Sequence, residues 1–99
     1  MISQLRTYVI NRGKMDEWLK IFFERIVPIH AKYGIKVGDT WVTPDRSQFV
    51  WVRSFGSAEE IPVKEEAFRN SPEWKAVADD AIAVLARFDV QVIEPVAAS

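Results

Sequence analysis

The stretch Lys36-Val37-Gly38-Asp39-Thr40-Trp41-Val42-Thr43-Pro44-Asp45-Arg46-Ser47-Gln48-Phe49-Val50-Trp51-Val52-Arg53-Ser54-Phe55 decides the fold. It holds two strand-like runs back to back. Lys36–Thr43 alternates Val37, Asp39, Trp41 and Thr43 with Lys36, Gly38, Thr40 and Val42. Gln48–Phe55 puts Phe49, Trp51, Arg53 and Phe55 on one side and Val50, Val52 and Ser54 on the other. Alternation of β-branched and aromatic residues with a period of two marks strands on a pleated surface. Pro44-Asp45-Arg46 between them is turn chemistry.

Upstream, Met15–Tyr33 reads as helical, with Met15, Trp18, Leu19, Phe22, Ile26, Ile29 and Tyr33 at helical spacing and Ile21, Phe23 and Val27 widening the stripe. Pro28 lies inside it and lacks the N–H for a bond to the Glu24 carbonyl, which predicts a kink or a stop. Gly34 is placed to follow the last turn. Before the turn Asn11–Gly13, the strand-like run Ile2–Ile10 sets Leu5, Thr7 and Val9 against Gln4, Arg6, Tyr8 and Ile10. Downstream, Ser57–Phe88 reads as helix in two pieces. Ser57 and Glu60 form a capping-box pair, a break falls near Asn70, and Ser71-Pro72-Glu73 is a second start signal. Trp74, Val77, Ala78, Ala81, Ile82, Leu85 and Phe88 then make a regular stripe. Asp89–Glu94 is the last strand, Pro95 ends it, and Val96–Ser99 is expected to fray. The order is βαββαβ, the ferredoxin-like order. It predicts an α+β domain over residues 1–99, with a four-stranded antiparallel sheet carrying helices on one face.

Such a sheet covers only one face with its own helices. If the first strand neighbours the third and fourth, Leu5, Val9, Val50, Val52, Val90 and Val92 form an aliphatic face suited to the helices. Arg6, Tyr8, Phe49, Trp51, Arg53, Phe55 and Ile93 then form the other face. Aromatics left in water would make an unusually large apolar patch, and burying each contributes roughly 2–3 kcal/mol. The expectation is that a second subunit shelters them, with Asp39, Asp89, Glu94 or a bound anion as partners for Arg6 and Arg53.

With 99 residues, 48% apolar and 27% charged, the chain has the composition of an ordinary globular domain. A domain this size removes only about 65% of its chain surface from water on folding, so burial against a partner would help. A formal charge of −1 leaves no basic footprint for nucleic acid and no polybasic membrane patch. Zero cysteines exclude disulfides, thiolate metal sites and a Cys nucleophile, and fit a cytoplasmic location. No signal peptide and no apolar run of about 20 residues is expected.

Gln4-Leu5-Arg6-Thr7-Tyr8, Gly13-Lys14-Met15 with Trp18, Phe49 to Phe55, Glu66-Ala67-Phe68 and Ser71-Pro72-Glu73-Trp74 together resemble the NIPSNAP family of the dimeric α+β barrel superfamily. The family pattern often carries Glu where this chain has Gln4. The resemblance implies a ferredoxin-like subunit, a two-fold dimer with joined sheets, and a cavity. It brings no agreed reaction and no cofactor.

His30 is the sole histidine. It is a candidate general base or axial metal ligand, or a half-exposed residue favoured near a helix C-terminus; one His without Cys does not make a transition-metal site. Arg6 and Arg53 share a side and could clamp a carboxylate or enolate oxygen, or form an ion pair that orders the dimer interior. Tyr8 is a candidate proton or hydrogen-bond donor, and Trp18, Trp41, Trp51 and Trp74 are candidate walls of an apolar pocket, or plain core and interface. Adjacent acids Glu65-Glu66 and Asp79-Asp80 point about 100° apart on a helix and read as solvated faces. No phosphate loop, nucleophile elbow or His-Glu-x-x-His is present. The functional expectation is a homodimer binding or transforming a small apolar or aromatic acidic molecule without a cofactor. The alternative is a non-catalytic dimeric interaction module.

Overall fold

The computed structural model describes residues 1–97. Alternating residues of Ile2–Ile10 form β1, Lys36–Val42 form β2, Gln48–Phe55 form β3 and Leu85–Ile93 form β4. Their order across the sheet is β2-β3-β1-β4, with every neighbouring pair antiparallel. Helices α1 (Met15–Ile21), α2 (Val27–Lys32), α3 (Glu60–Arg69) and α4 (Pro72–Val84) make the second layer. The ferredoxin-like arrangement is therefore the one the sequence predicts. The tail expectation falls partly outside the described residues, at Ala98 and Ser99; Val96 and Ala97 carry no regular structure.

Pro28 does not stop the first crossover. Phe22–Ile26 widens into a π-helical turn, closed by the Val27 N–H on the Phe22 carbonyl, and the chain then resumes as α2 with Pro28 in its first turn. A proline withholds the donor that the preceding carbonyls need, and the wide turn absorbs the loss. It also resets the helical phase, so that Ile26, Ile29 and His30 are all buried. The end of α2 is a Schellman motif. Gly34 takes φ 71°, the Ile35 N–H reaches the His30 carbonyl, and the Gly34 N–H reaches Ala31.

The second crossover breaks where expected. Ser71 Oγ accepts from the Trp74 N–H at 3.1 Å, and Pro72 opens α4. The Ser57–Glu60 capping box forms only in part: the Glu60 N–H bonds to the Ser57 carbonyl instead of its hydroxyl, while the Glu60 carboxylate accepts from Ser57. Leu85 and Phe88 leave the helix and belong to β4.

The facing of the sheet is the main correction. Phe49, Trp51 and Phe55 are each at most 2% exposed within a single subunit, and Tyr8 and Arg53 are also buried. They face the helices, where Trp18 and Phe22 interleave with Phe49 and Trp51 at ring-centroid distances of 4.8–5.7 Å. Leu5, Val9, Val50 and Val52 stay only half-buried on the open face. The reason is volume. Bulky rings fill the gap between a sheet and large helical side chains, whereas short branched residues leave a flatter surface. β4 departs again: Val90 lies opposite Arg6 and Val92 opposite Gln4, on the helix side, while Ile93 lies opposite Ser3 on the open face. In β2 the register shifts between Val37 and Thr40, so Val37 joins Arg53 on the helix side and Trp41 joins Val50 on the open one.

Candidate functional site

Between the sheet and its helices lies a cleft of about 530 Å³, in the range of small-molecule sites. β1 supplies Gln4, Arg6 and Tyr8 at intervals of two, so all three leave the same face. β3 adds Trp51 and Arg53, α2 adds His30, and α3 adds Glu65, Phe68 and Arg69. Trp18, Trp74 and Leu85 extend the apolar wall. Ile82, Phe88 and Val90 line it where α4 and β4 leave them exposed by 61%, 61% and 37%.

A hydrogen-bonded network makes the polar floor. Arg53 donates from Nε to Gln4 Oε1 at 2.8 Å, from Nη1 to His30 Nε2 at 3.1 Å and from Nη2 to Glu65 Oε2 at 2.6 Å. Arg6 donates from Nη1 to the same Gln4 oxygen and from Nε to the Tyr8 hydroxyl, both at 2.9 Å. The Gln4 amide nitrogen donates to Glu65 Oε2 at 3.3 Å.

These bonds assign His30. Ile26 O lies 3.0 Å from Nδ1 and can only accept, so Nδ1 carries the proton; Nε2 offers its lone pair to Arg53. The ring is 1% exposed. Burial first, and then the charges of Arg53 and Arg6, push its pKa down to about 4 against the Ile26 bond that raises it. His30 is thus a neutral acceptor that holds Arg53. It is neither half-exposed nor free to act as a base while that bond stands. Burial and the nearby Arg6 charge lower Arg53 to about 10, and it stays charged.

The structure brings Arg6, Tyr8, His30, Trp51 and Arg53 into one site. It does not bring Trp41, which is 51% exposed on the opposite face of the sheet. The counter-ion of Arg53 is Glu65, not Asp39, Asp89 or Glu94. Glu65 is accordingly no solvated acid. Gln4 and Glu65 were missed as site residues, although each left a signal. Gln4 precedes Arg6 and Tyr8 on their own face, and Glu65 interrupts an apolar helical stripe between Ile61 and Phe68. Among the described residues no group of three or more His, Asp or Glu could hold a metal ion.

The site's chemistry is donor-rich. Arg6 has no carboxylate within ion-pair distance among the described residues, and its Nη2 has no partner there. The Tyr8 hydroxyl accepts from Arg6 and keeps its own hydrogen to give. The cleft's fixed charges are Arg6, Arg53 and the rim residue Arg69 against Glu65 alone. Aromatic walls around an uncompensated guanidinium suit an apolar anion.

An antiparallel four-stranded sheet, helices on one face only and a cleft between the layers define an α+β subunit of the ferredoxin-like type. The chain belongs to the NIPSNAP family, whose profile matches residues 3–99. It is similar in structure to a NIPSNAP domain protein of Burkholderia xenovorans, with a TM-score of 0.89, 22% identity and coverage of 98% of this chain and 96% of that one. A NIPSNAP family protein of Agrobacterium tumefaciens gives 0.89 and 22%, covering 96% and 92%. An antibiotic biosynthesis monooxygenase gives 0.73 and 13%, covering 98% and 100%, which is likeness of fold. A search among curated proteins finds none that matches the chain.

Proposed function

We propose that residues 1–99 act as one NIPSNAP domain whose cleft binds a small apolar or aromatic monoanion, with the anionic oxygens on Arg6 and Tyr8. The observation that carries this is Arg6, a guanidinium with no counter-ion among the described residues, on the floor of an aromatic cleft. Arg53 and His30 are scaffold for that anchor, and Trp51 is its wall. A paired probe tests the reading: 2-naphthoate and its neutral counterpart 2-naphthamide, titrated by calorimetry. Naphthoate binds at least 10-fold more tightly. Arg6→Met then weakens naphthoate about 10-fold or more, the scale of one hydrogen bond to a charged group, while naphthamide changes by less than about 3-fold. Equal losses for both probes would show that Arg6 only shapes the cleft.

The open sheet face is the proposed dimer surface. It presents Leu5, Val9, Val50 and Val52 half-buried and Trp41 and Ile93 more exposed, an apolar set interspersed with Ser3, Thr7 and Ser54 that a second copy covers. The aromatic set no longer needs a partner, but this face does. The protein sediments as a dimer at micromolar concentration, and Val52→Lys yields a folded monomer. A wild-type monomer with intact far-ultraviolet dichroism would remove the dimer from the proposal and leave the cleft, which lies within one subunit. No helix among the described residues is long and apolar enough to cross a membrane. A cytoplasmic location remains part of the proposal, on the cysteine-free sequence.

A further inference from the structure

We infer that Gln4 determines the charge of the molecule the cleft accepts, a specificity that rests on the anion-binding reading above. Gln4 is 3% exposed, and its single carbonyl oxygen receives both Arg6 Nη1 and Arg53 Nε. Two guanidinium groups converging on one acceptor ordinarily call for a carboxylate there. A neutral amide gives the same acceptor geometry without the charge. Its other end donates to Glu65 Oε2 at 3.3 Å, a distance at which a second carboxylate would meet the first with like charge.

The inner floor is therefore set by two cations and one anion. Arg53 and Glu65 neutralise each other across 2.6 Å. His30 is uncharged, since Ile26 and Arg53 claim its proton and its lone pair. What remains is the unit positive charge of Arg6. In a cleft walled by Trp51, Trp18 and Phe68, water screens that charge poorly, and a ligand carrying one negative charge completes the balance. A neutral ligand leaves Arg6 partly desolvated and unpaired, which costs affinity. Gln4 keeps Arg6 in place while declining to neutralise it.

Two substitutions move the balance in opposite directions at nearly constant shape. Gln4→Glu takes the floor from one net positive charge to none. Glu65→Gln takes it to two. The readout is the ratio of naphthamide to naphthoate dissociation constants, measured by calorimetry at pH 8, where the introduced carboxylate is ionised between its two guanidinium partners. In Gln4→Glu the preference for naphthoate falls at least 10-fold, mainly through weaker naphthoate binding. In Glu65→Gln it rises 3-fold or more. Thermal melts establish that each variant is folded, and Glu65→Gln alone carries the test if Gln4→Glu does not fold, because the half-exposed Glu65 tolerates an amide. A wild-type preference that persists unchanged in either folded variant overturns the role of Gln4 and leaves the anion site standing. Absence of any naphthoate preference in the wild type overturns both.

Discussion

Arg53→Ala costs the fold about 2–4 kcal/mol, toward the lower end of the scale for breaking a buried ion pair, because the surviving Glu65 carboxylate is 28% exposed. The side chain is 6% exposed and supplies three hydrogen bonds, to Gln4, His30 and Glu65. Deleting it leaves the part-exposed Glu65 carboxylate without its cation and the buried His30 lone pair without a donor, while the Gln4 oxygen keeps its bond from Arg6. A buried unsatisfied group costs about 1–3 kcal/mol, the lost ion pair adds to it, and lost packing supplies the rest. Arg53 also lies within 6.0 Å of the Trp51 and Phe55 ring centroids. Arg53→Met keeps much of that contact and separates the two contributions, so it falls between wild type and Arg53→Ala. Arg53→Lys recovers little, since one ammonium cannot reach three acceptors held by a planar fork. Urea denaturation at pH 7 measures all four proteins. Against a total stability of about 5–15 kcal/mol typical of small domains, the alanine variant melts far below wild type or does not fold. A loss under about 1 kcal/mol would mean that the network is ornamental. Ligand tests belong on Arg6, because substituting Arg53 removes the floor along with any contact it makes.

The element order and both element types around Lys36–Phe55 were legible because they depend on local periodicity and on turn chemistry at Pro44-Asp45-Arg46. Ser71-Pro72 was legible for the same reason, as a cap is a contact between neighbours in sequence. The facing of the sheet was not, because both faces of β1 and β3 carry apolar residues and periodicity alone is symmetric between them. Volume breaks the symmetry: Trp18 and Phe22 from the first crossover need rings to interlock with, and Phe49, Trp51 and Tyr8 supply them from one face of the sheet. Arginines on that face argued for a partner subunit. They settle inside because Glu65, 12 residues away from Arg53, and Gln4, 49 away, arrive with matching acceptors. Meetings of that kind depend on tertiary placement, so the partners read from sequence were the wrong acids. Trp41 lies outside the cleft through a single irregularity in β2, which puts it on the other face. The π-helical turn before Pro28 belongs to the same class, since a proline signals a disruption without saying whether the helix stops or widens.

Stability falls as the pH is lowered from 6.5 toward 4, and His30 is a principal cause. In the unfolded chain the imidazole takes up a proton near its ordinary value of 6.5. In the folded protein burial, reinforced by Arg53 and Arg6, holds the value down to about 4. Between these limits the unfolded state binds the proton and the native state does not, so acid favours unfolding throughout the window. The contribution is complete above pH 6.5 and lost by about pH 4, and the difference between the two values converts to about 3 kcal/mol. Protonation at Nε2 would also aim an N–H at the Arg53 guanidinium and break the bond it now accepts. Loss of His30 neutrality and loss of the Arg53 network are therefore one event. Glu73, held down to about 2 by its bond to Lys32, titrates in the native state below this window. Glu60 and Asp45, also lowered by hydrogen bonds, begin to contribute only at the acid end. His30→Gln separates the histidine from these carboxylates, because its amide oxygen can accept from Arg53 but takes no proton. Urea midpoints followed from pH 7 to pH 4 show the variant less stable than wild type at pH 7 and markedly flatter between pH 6.5 and 4.5. Parallel curves for the two proteins would assign the acid sensitivity to the carboxylates and remove His30 from it.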